Sequence, residues 1–402
     1  MSTSIPADRS GFTALFATSL IQVVASFAVS APLAISVLIV AQAHVPESWI
    51  GYYTSLLYLA AIAGSLLTPR LLGLVGVGAI QLGCLVAIAI GAALFAQLGP
   101  GPAGVALAVA GIAAMGLAYG VIVPSSALFL TDRFARQWQP LVVSIRQTGV
   151  PVGTAIVAIV APLVAQRWGW TAMAPVIAMV VVVAFALAAP TLAGVRRAAP
   201  PPVRPPAGLA GLRLLLGNPA ARRLALVAGI YGLNQAALTT YLVPSLIWLH
   251  HLSLGRAAGF LATATLAGAA ARIVFGLTTA RFGGIDVHLG LIGIASGLAW
   301  GLLLWPDPAL TQLTLGALLL GATAMGWNGI LLAELAHAAP AGRTADLVGI
   351  GTAMAYFGVL VAPFIYGWML ALSGSKAVAV AALALLSVLA GAALLRKRSV
   401  AR

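Results

Sequence analysis

The sequence predicts an all-α integral membrane protein, with twelve transmembrane helices arranged as two six-helix bundles about a pseudo-two-fold axis. Three observations carry that expectation. The chain of 402 residues is 62% hydrophobic and only 7% charged, where a soluble domain carries about 25% charged residues. Its apolar residues fall into twelve runs of roughly 20 to 28 residues, long enough to cross the bilayer. A phrase near the middle, Gly111-Ile-Ala-Ala114-Met115-Gly116, returns 210 residues later as Gly321-Ala-Thr-Ala324-Met325-Gly326. Gln22 and Pro32 are matched by Asn234 and Pro244 at an offset of 212. Val143, Ile145 and Gly153 are matched by Val348, Ile350 and Gly358 at 205, and Arg70 and Arg281 close corresponding runs. The chain is therefore two copies of one apolar unit. A parallel repeat of this size places a substrate site between the copies.

The runs can be justified in order. The first, 12–41, follows a short polar N-terminus and is too long for a signal-peptide core, so it reads as an uncleaved helix. The turn His44-Val-Pro46-Glu47 introduces the second, 48–69, and the third follows at 76–98. Gly99-Pro-Gly-Pro102 punctuates the start of the fourth, 102–130. Runs 139–165 and 169–193 complete a first bundle, 1–193. Residues 194–221 are rich in arginine, contain Pro200-Pro-Pro202 and Pro205-Pro206, and read as a linker. The second bundle, 222–402, holds runs 222–249, 257–280, 285–305, 309–336, 345–371 and 376–395, with Trp305-Pro-Asp-Pro308 between the third and fourth of these.

Net charge is +14, but the cations sit in short loops between apolar spans, so the balance points to topology and not to nucleic acid. With both termini cytoplasmic, sixteen fall inside: Arg9, Arg70, Arg133, Arg136, Arg196, Arg197, Arg204, Arg213, Arg222, Arg223, Arg281, Arg343, Arg396, Lys397, Arg398 and Arg402. Only Arg167, Arg256 and Lys376 fall outside. That asymmetry sets the orientation. Arg146 and Arg272 belong to neither group. Cys84 stands alone in an apolar run, with no disulfide partner and no metal ligands nearby. No cofactor, metal or enzymatic motif is expected.

Twelve helices as six plus six, a basic linker and parallel half-repeats resemble the major facilitator superfamily over nearly the whole chain. The family's loop signature after the second helix is reduced here to Gly64-Ser-Leu-Leu-Thr-Pro69-Arg70-Leu-Leu-Gly73, and after the eighth to Gly276-Leu-Thr-Thr-Ala-Arg281-Phe-Gly283; both lack the acidic residue. On the fifth helix, Ser144-Ile-Arg146-Gln147-Thr148-Gly149-Val-Pro151-Val-Gly153 is similar to bacterial permeases grouped with cyanate and organic-anion porters. Its glycines and proline also echo a motif of drug/proton antiporters. The resemblance implies alternating access in a bacterial inner membrane, with helices five and eight facing each other across the half-interface.

An arginine at a helix centre costs about 2.5–3.5 kcal/mol on insertion scales, so Arg146 and Arg272 need a reason. Arg272 stands roughly 13 Å from the cytoplasmic end of the eighth run, beyond easy snorkelling. Gly268 and Gly276 flank it on one stripe. Carriers of monocarboxylates or oxalate are similar in placing an arginine on helix eight. Arg146 lies roughly 9 Å inside the fifth run, on a face with Gly149 and Gly153 and beside Gln147. These two arginines are the candidate anion-binding groups; the alternative for Arg272 is a structural arginine bonded to carbonyls of a neighbouring helix, and for Arg146 a side chain that snorkels to phosphate headgroups or closes a cytoplasmic gate. The glycine stripes are expected to let one half rock on the other. Gln22 and Asn234, at mid-bilayer, are expected to face a wet cavity or each other, with Gln235, Tyr231 and Thr239 nearby. Asn328 and Trp327 on the tenth run, Tyr119 on the fourth, and Tyr58 and Tyr356 on the second and eleventh complete the set.

Carboxylates are absent from the span centres. Asp8, Glu47, Asp132, Asp286, Asp307, Glu334 and Asp346 all lie in loops or within about a turn of a helix end. The chain thus reads as a monomeric secondary transporter of a small anion, a carboxylate or inorganic anion, with a co-transported proton or a counter-anion. Arg272 holds the charge, Arg146 assists or gates, and Gln22, Asn234 and Asn328 orient. The alternative is a drug or metabolite efflux porter with structural arginines.

Overall fold

A computed structural model describes residues 9–131, 133–134, 142, 145–193, 207–282, 284–340 and 344–400. Arg136, Arg196, Arg197, Arg204, Arg343, Arg402, Asp8, Asp132, Val143 and most of the expected linker lie outside the described residues. Among the described residues, twelve helices are long and apolar enough to cross a membrane. They are α1 (Ser10–Ala34), α2 (Trp49–Thr68), α3 (Val77–Phe95), α4 (Pro102–Ser126), α5 (Ile145–Trp168) and α6 (Trp170–Leu192), then α7 (Pro219–His250), α8 (Leu254–Thr279), α9 (Ile285–Leu303), α10 (Leu310–Leu335), α11 (Leu347–Ser373) and α12 (Lys376–Arg396). An even number of crossings puts both chain ends on one face, the terminal face; the opposite one is the far face.

The helices are not amphipathic in the manner of a soluble bundle, because lipid and protein interior are both apolar. What varies is polarity with position. α7 has the lowest mean hydropathy, 1.2, and is 72% buried, whereas α6 has 2.6 and is only 28% buried. The helix carrying Tyr231, Asn234, Gln235, Thr239 and Thr240 is thus the interior one, and the plain aliphatic helix meets lipid.

Three local departures from the expected runs follow from chain chemistry. The first run is broken at Ile35, three residues after Pro32 removes a helical hydrogen bond, and resumes as a short helix, Ser36–Ala43. Within the stretch expected as linker, Ala207–Gly217 forms a helix that docks Leu215 into the second bundle. Asn218 then caps α7, its Oδ1 accepting from Ala220 and Ala221 N–H with Pro219 in the first turn. Within α7, residues Ala237–Tyr241 form a π-helical turn.

The repeat is visible in the packing. A Cβ at Gly153 of α5 would strike the Val23 carbonyl of α1, and one at Gly358 of α11 would strike the Gly229 carbonyl of α7. Gly153 and Gly358 are therefore equivalent crossing points, one in each bundle. Gly116 of α4 likewise packs on Leu57 of α2, and Gly326 of α10 on Ala271 and Phe275 of α8. The expectation that glycine stripes on α5 and α8 let the halves rock on each other is corrected here. Gly149 and Gly153 face α1, Gly268 faces Met325 and Gly321 of α10, and nothing lies within 4 Å of a Cβ placed at Gly276. Small residues bring helices together inside each bundle, where van der Waals contact is the main attraction. The seam between bundles is built otherwise, from α2 against α11 and α5 against α8.

Candidate functional site

α5 enters from the terminal face and carries Arg146 in its terminal-face half. Gly149 lets α5 approach α1 so closely that an added Cβ would lie 3.1 Å from Gln22 Cβ and Cγ. That approach brings Arg146 to Gln22: Nη2 donates to Gln22 Oε1 at 2.6 Å and to the Ile122 carbonyl of α4 at 3.4 Å. Gln22 is itself oriented, its Nε2 donating to Ser26 Oγ at 3.2 Å, so it presents its oxygen to the guanidinium. Arg146 is 0% exposed, and its Nε and Nη1 have no hydrogen-bond partner. A buried charged group with two unmet donors is costly, by about 1–3 kcal/mol for each neutral donor and more for a charged one.

Arg272 of α8 stands across the seam and is 9% exposed. Its Nε donates to the Met325 carbonyl of α10 at 2.9 Å, and its Nη1 to the Gln147 carbonyl of α5 at 2.6 Å. Arg272 thereby ties the second bundle to the residue following Arg146. Gln147 takes part through its backbone, a role its side chain does not predict. Both guanidinium groups lie within electrostatic reach of the same two tyrosines, Tyr119 of α4 and Tyr356 of α11. Tyr58 of α2 joins those two: its ring is 6.4 Å from that of Tyr119 at 73° and 5.5 Å from that of Tyr356 at 66°. Such edge-to-face pairs are favourable ring geometries.

The remaining predicted residues divide. Asn328 Nδ2 donates to Gln235 Oε1 at 3.2 Å, bridging α10 and α7. Asn234 is 2% exposed, and its Oδ1 accepts from Trp300 Nε1 of α9 at 3.0 Å, so it is turned into the second bundle. Gln22 and Asn234 match in the repeat but differ in use, one bracing Arg146 and the other an indole. Trp327 is buried, edge-to-face with Tyr231, and the Tyr231 hydroxyl donates to the Leu289 carbonyl. Among the described acids, Glu47 pairs with Lys376 at 2.7 Å, Asp286 with Arg223 at 2.8 Å, and Glu334 lies 3.7 Å from His337. None of them is paired with Arg146 or Arg272.

Toward the far face the seam holds contacts that sequence reasoning missed. Thr54 Oγ1 of α2 lies 2.9 Å from Thr240 Oγ1 in the π turn of α7. Ser55 Oγ donates to the Leu360 carbonyl of α11 at 2.9 Å. Tyr241 and Tyr366 stack with centroids 3.9 Å apart. Lys376 Nζ, besides meeting Glu47, lies 3.8 Å from the centroid of the Trp248 ring. The only sequence signal was the isolated outer Glu47 and Lys376, one in each half.

The arrangement is two bundles with polar groups gathered at their seam. No curated protein matches the sequence, but solved structures match its fold. A bacterial homolog of the human lysosomal transporter Spinster, in an inward-facing and unoccupied conformation, superimposes with a TM-score of 0.72 at 14% identity, covering 96% of this chain and 97% of that one. The nucleoside transporter NupG, in a point-mutant form, does so at 0.74 and 14%, covering 95% and 99%. The family model described as Major Facilitator Superfamily matches residues 18–363. The chain is a multi-pass membrane transporter and not an enzyme, and it belongs to the major facilitator superfamily.

Proposed function

We propose that this transporter carries a small anion, a carboxylate or an inorganic oxyanion, by alternating access, with Arg146 as the principal charge-binding group. One observation carries the reading: Arg146 is fully enclosed, yet its Nε and Nη1 meet no acceptor and none of the described acids pairs with it. An anion supplies the acceptors and the countercharge that the protein withholds. Arg272 is the second cation of the site, held across the seam by two carbonyls. Gln22 fixes the plane of the Arg146 guanidinium, and Tyr119, Tyr356, Asn328 and Gln147 line the surrounding space. Asn234, committed to Trp300 inside the second bundle, stands apart from the anion. The sequence ranks Arg272 first; we rank Arg146 first, because its Nε and Nη1 meet no acceptor whereas the Nε and Nη1 of Arg272 both donate to backbone carbonyls. With no carboxylate among the described residues paired to either arginine, coupling is read as running through a counter-anion or through a proton taken up with the substrate. The cation asymmetry between loops supports a bacterial inner membrane with both termini cytoplasmic, and the chain is read as a monomer.

The test is a thermal-shift screen of the purified protein against mono- and dicarboxylates, inorganic oxyanions, and matched cationic and neutral lipophiles. A ligand that binds the folded state raises its apparent stability by mass action. Stabilisation by anions, lost in Arg146→Gln, supports the reading; stabilisation by cations or neutral compounds alone overturns it. The backbone bonds of Arg272 favour a second reading, an efflux porter for drugs or metabolites in which the arginines are structural. One structural neighbour is named a nucleoside transporter. That reading expects stabilisation by uncharged ligands, retained in both arginine variants.

A further inference from the structure

The wall beside the two guanidinium groups is aromatic. Tyr58 stands between Tyr119 of its own bundle and Tyr356 of the other, in edge-to-face contact with both. Tyr119 is 5% exposed, whereas Tyr58 and Tyr356 each keep part of their surface open. The ring contact between Tyr58 and Tyr356 crosses the seam. The same two tyrosines, Tyr119 and Tyr356, lie within electrostatic reach of Arg146 and Arg272. Charge and aromatic surface therefore share one region of the seam, and each is supplied by both bundles.

A strongly hydrated inorganic ion gains nothing from ring faces and loses its water shell against them. A carboxylate carried on a flat apolar body gains twice: its oxygens take the free N–H groups of Arg146, and its body replaces water against the tyrosine rings. Resting on the anion reading above, we infer that the substrate is a carboxylate borne on a planar, aromatic or similarly flat apolar body, with Tyr58 and Tyr356 as the residues that select the body. Arg146 then reads the charge, and the seam tyrosines read what the charge is attached to. Because Tyr356 comes from the opposite bundle, the body of the substrate contributes contact across the seam that a bare anion does not.

The test is binding to the full-length protein in detergent, with benzoate, cyclohexanecarboxylate, acetate, sulfate and benzamide as probes. Benzoate is expected to bind about tenfold or more tighter than acetate or sulfate, and benzamide not at all. Sulfate or acetate binding as well as benzoate overturns the aromatic inference and leaves the anion reading intact. Benzamide binding as well as benzoate overturns the anion reading itself, and binding of none of the five overturns both. The selecting residues are tested by a ratio measured within one variant, which loss of fold cannot mimic. Tyr58→Phe and Tyr356→Phe keep the rings and are expected to keep the benzoate-to-acetate ratio. Tyr356→Leu and Tyr58→Leu are expected to lower it about fivefold or more. An unchanged ratio in both leucine variants removes the tyrosines from selection.

Discussion

On the far side of the seam, α2 meets α7 and α11 through Thr54 with Thr240, Ser55 with the Leu360 carbonyl, and the stacked rings of Tyr241 and Tyr366. On the terminal side, α8 meets α5 through Arg272, which donates to carbonyls, and Arg146 stands on α5 with two buried donors unmet. Beneath the Glu47–Lys376 pair at its rim, the far side is closed by these neutral contacts; among their residues only the Tyr366 hydroxyl is buried without a partner. The terminal side is built from excess charge. Reciprocal contacts are complete when the bundles touch, so they describe a closed door. Excess charge is complete only with something added, so it describes a site.

The largest break in that comparison is expected at Arg146. Replacing it with Gln removes the charge and the donors together, and anion affinity should fall by about a hundredfold or more, given charge-assisted bonds of about 1.5–3 kcal/mol each. Arg272→Gln should cost about tenfold, because much of that guanidinium is already committed to Met325 and Gln147. Isothermal titration of the two variants against the best anion decides the order. A greater loss in Arg272→Gln would move the primary site to α8.

A smaller change is expected on the far side. Thr54→Val leaves Thr240 in place but removes the hydroxyl pair in the π turn. One neutral hydrogen bond is worth about 0.5–1.5 kcal/mol, so far-face opening should become roughly two- to tenfold more frequent. Hydrogen–deuterium exchange over residues 242–250 of α7 reads this directly, while anion affinity of the far-closed state stays unchanged. Unchanged exchange would mean that the stacked tyrosines and the ion pair hold the door alone.

The two sides differ as much in legibility as in chemistry. The twelve spans and the halves are readable in the sequence because the bilayer imposes length and apolarity on every run, and duplication preserves Gly153 with Gly358 and Gly116 with Gly326. The arginines are readable because a charge in an apolar span is costly wherever it points. What they touch is not: Gln22 is 124 residues from Arg146, and Ile122 and Met325 act through carbonyls that every residue type possesses. Gln22 and Asn234 show the limit of the repeat, since their partners Arg146 and Trp300 have no counterparts at the matching positions. The far-side contacts of Thr54, Ser55 and Tyr241 use residues common in any helix, so nothing marks them before the helices are placed. The glycines were legible as packing residues, but their direction was not, because a stripe of small residues does not say which neighbour fills it.

The smallest effect is expected at the outer rim, where it separates two contributions to closure. Glu47 and Lys376 are 2.7 Å apart, but their side chains are 52% and 29% exposed. Water and salt screen such a pair, which contributes about 0.2–1 kcal/mol. Lys376 also lies 3.8 Å from the centroid of the Trp248 ring, a contact worth about 0.5–1 kcal/mol at an exposed site and less sensitive to the loss of Glu47. Trp248 and Lys376 belong to one bundle and Glu47 to the other, so only the ion pair crosses the seam. Glu47→Gln therefore removes all the charge attraction across the rim and leaves Lys376 on the indole. It should raise far-face exchange about twofold at low salt, with no difference from wild type at high salt. Lys376→Gln should match it in exchange across the seam while lowering the stability of the second bundle by the additional cation–π contribution, read as a lower melting temperature. If Lys376→Gln instead opens the far face well beyond Glu47→Gln at every salt concentration, the lysine on Trp248 is itself part of the closure, and the reciprocal contacts deeper in the seam are its support.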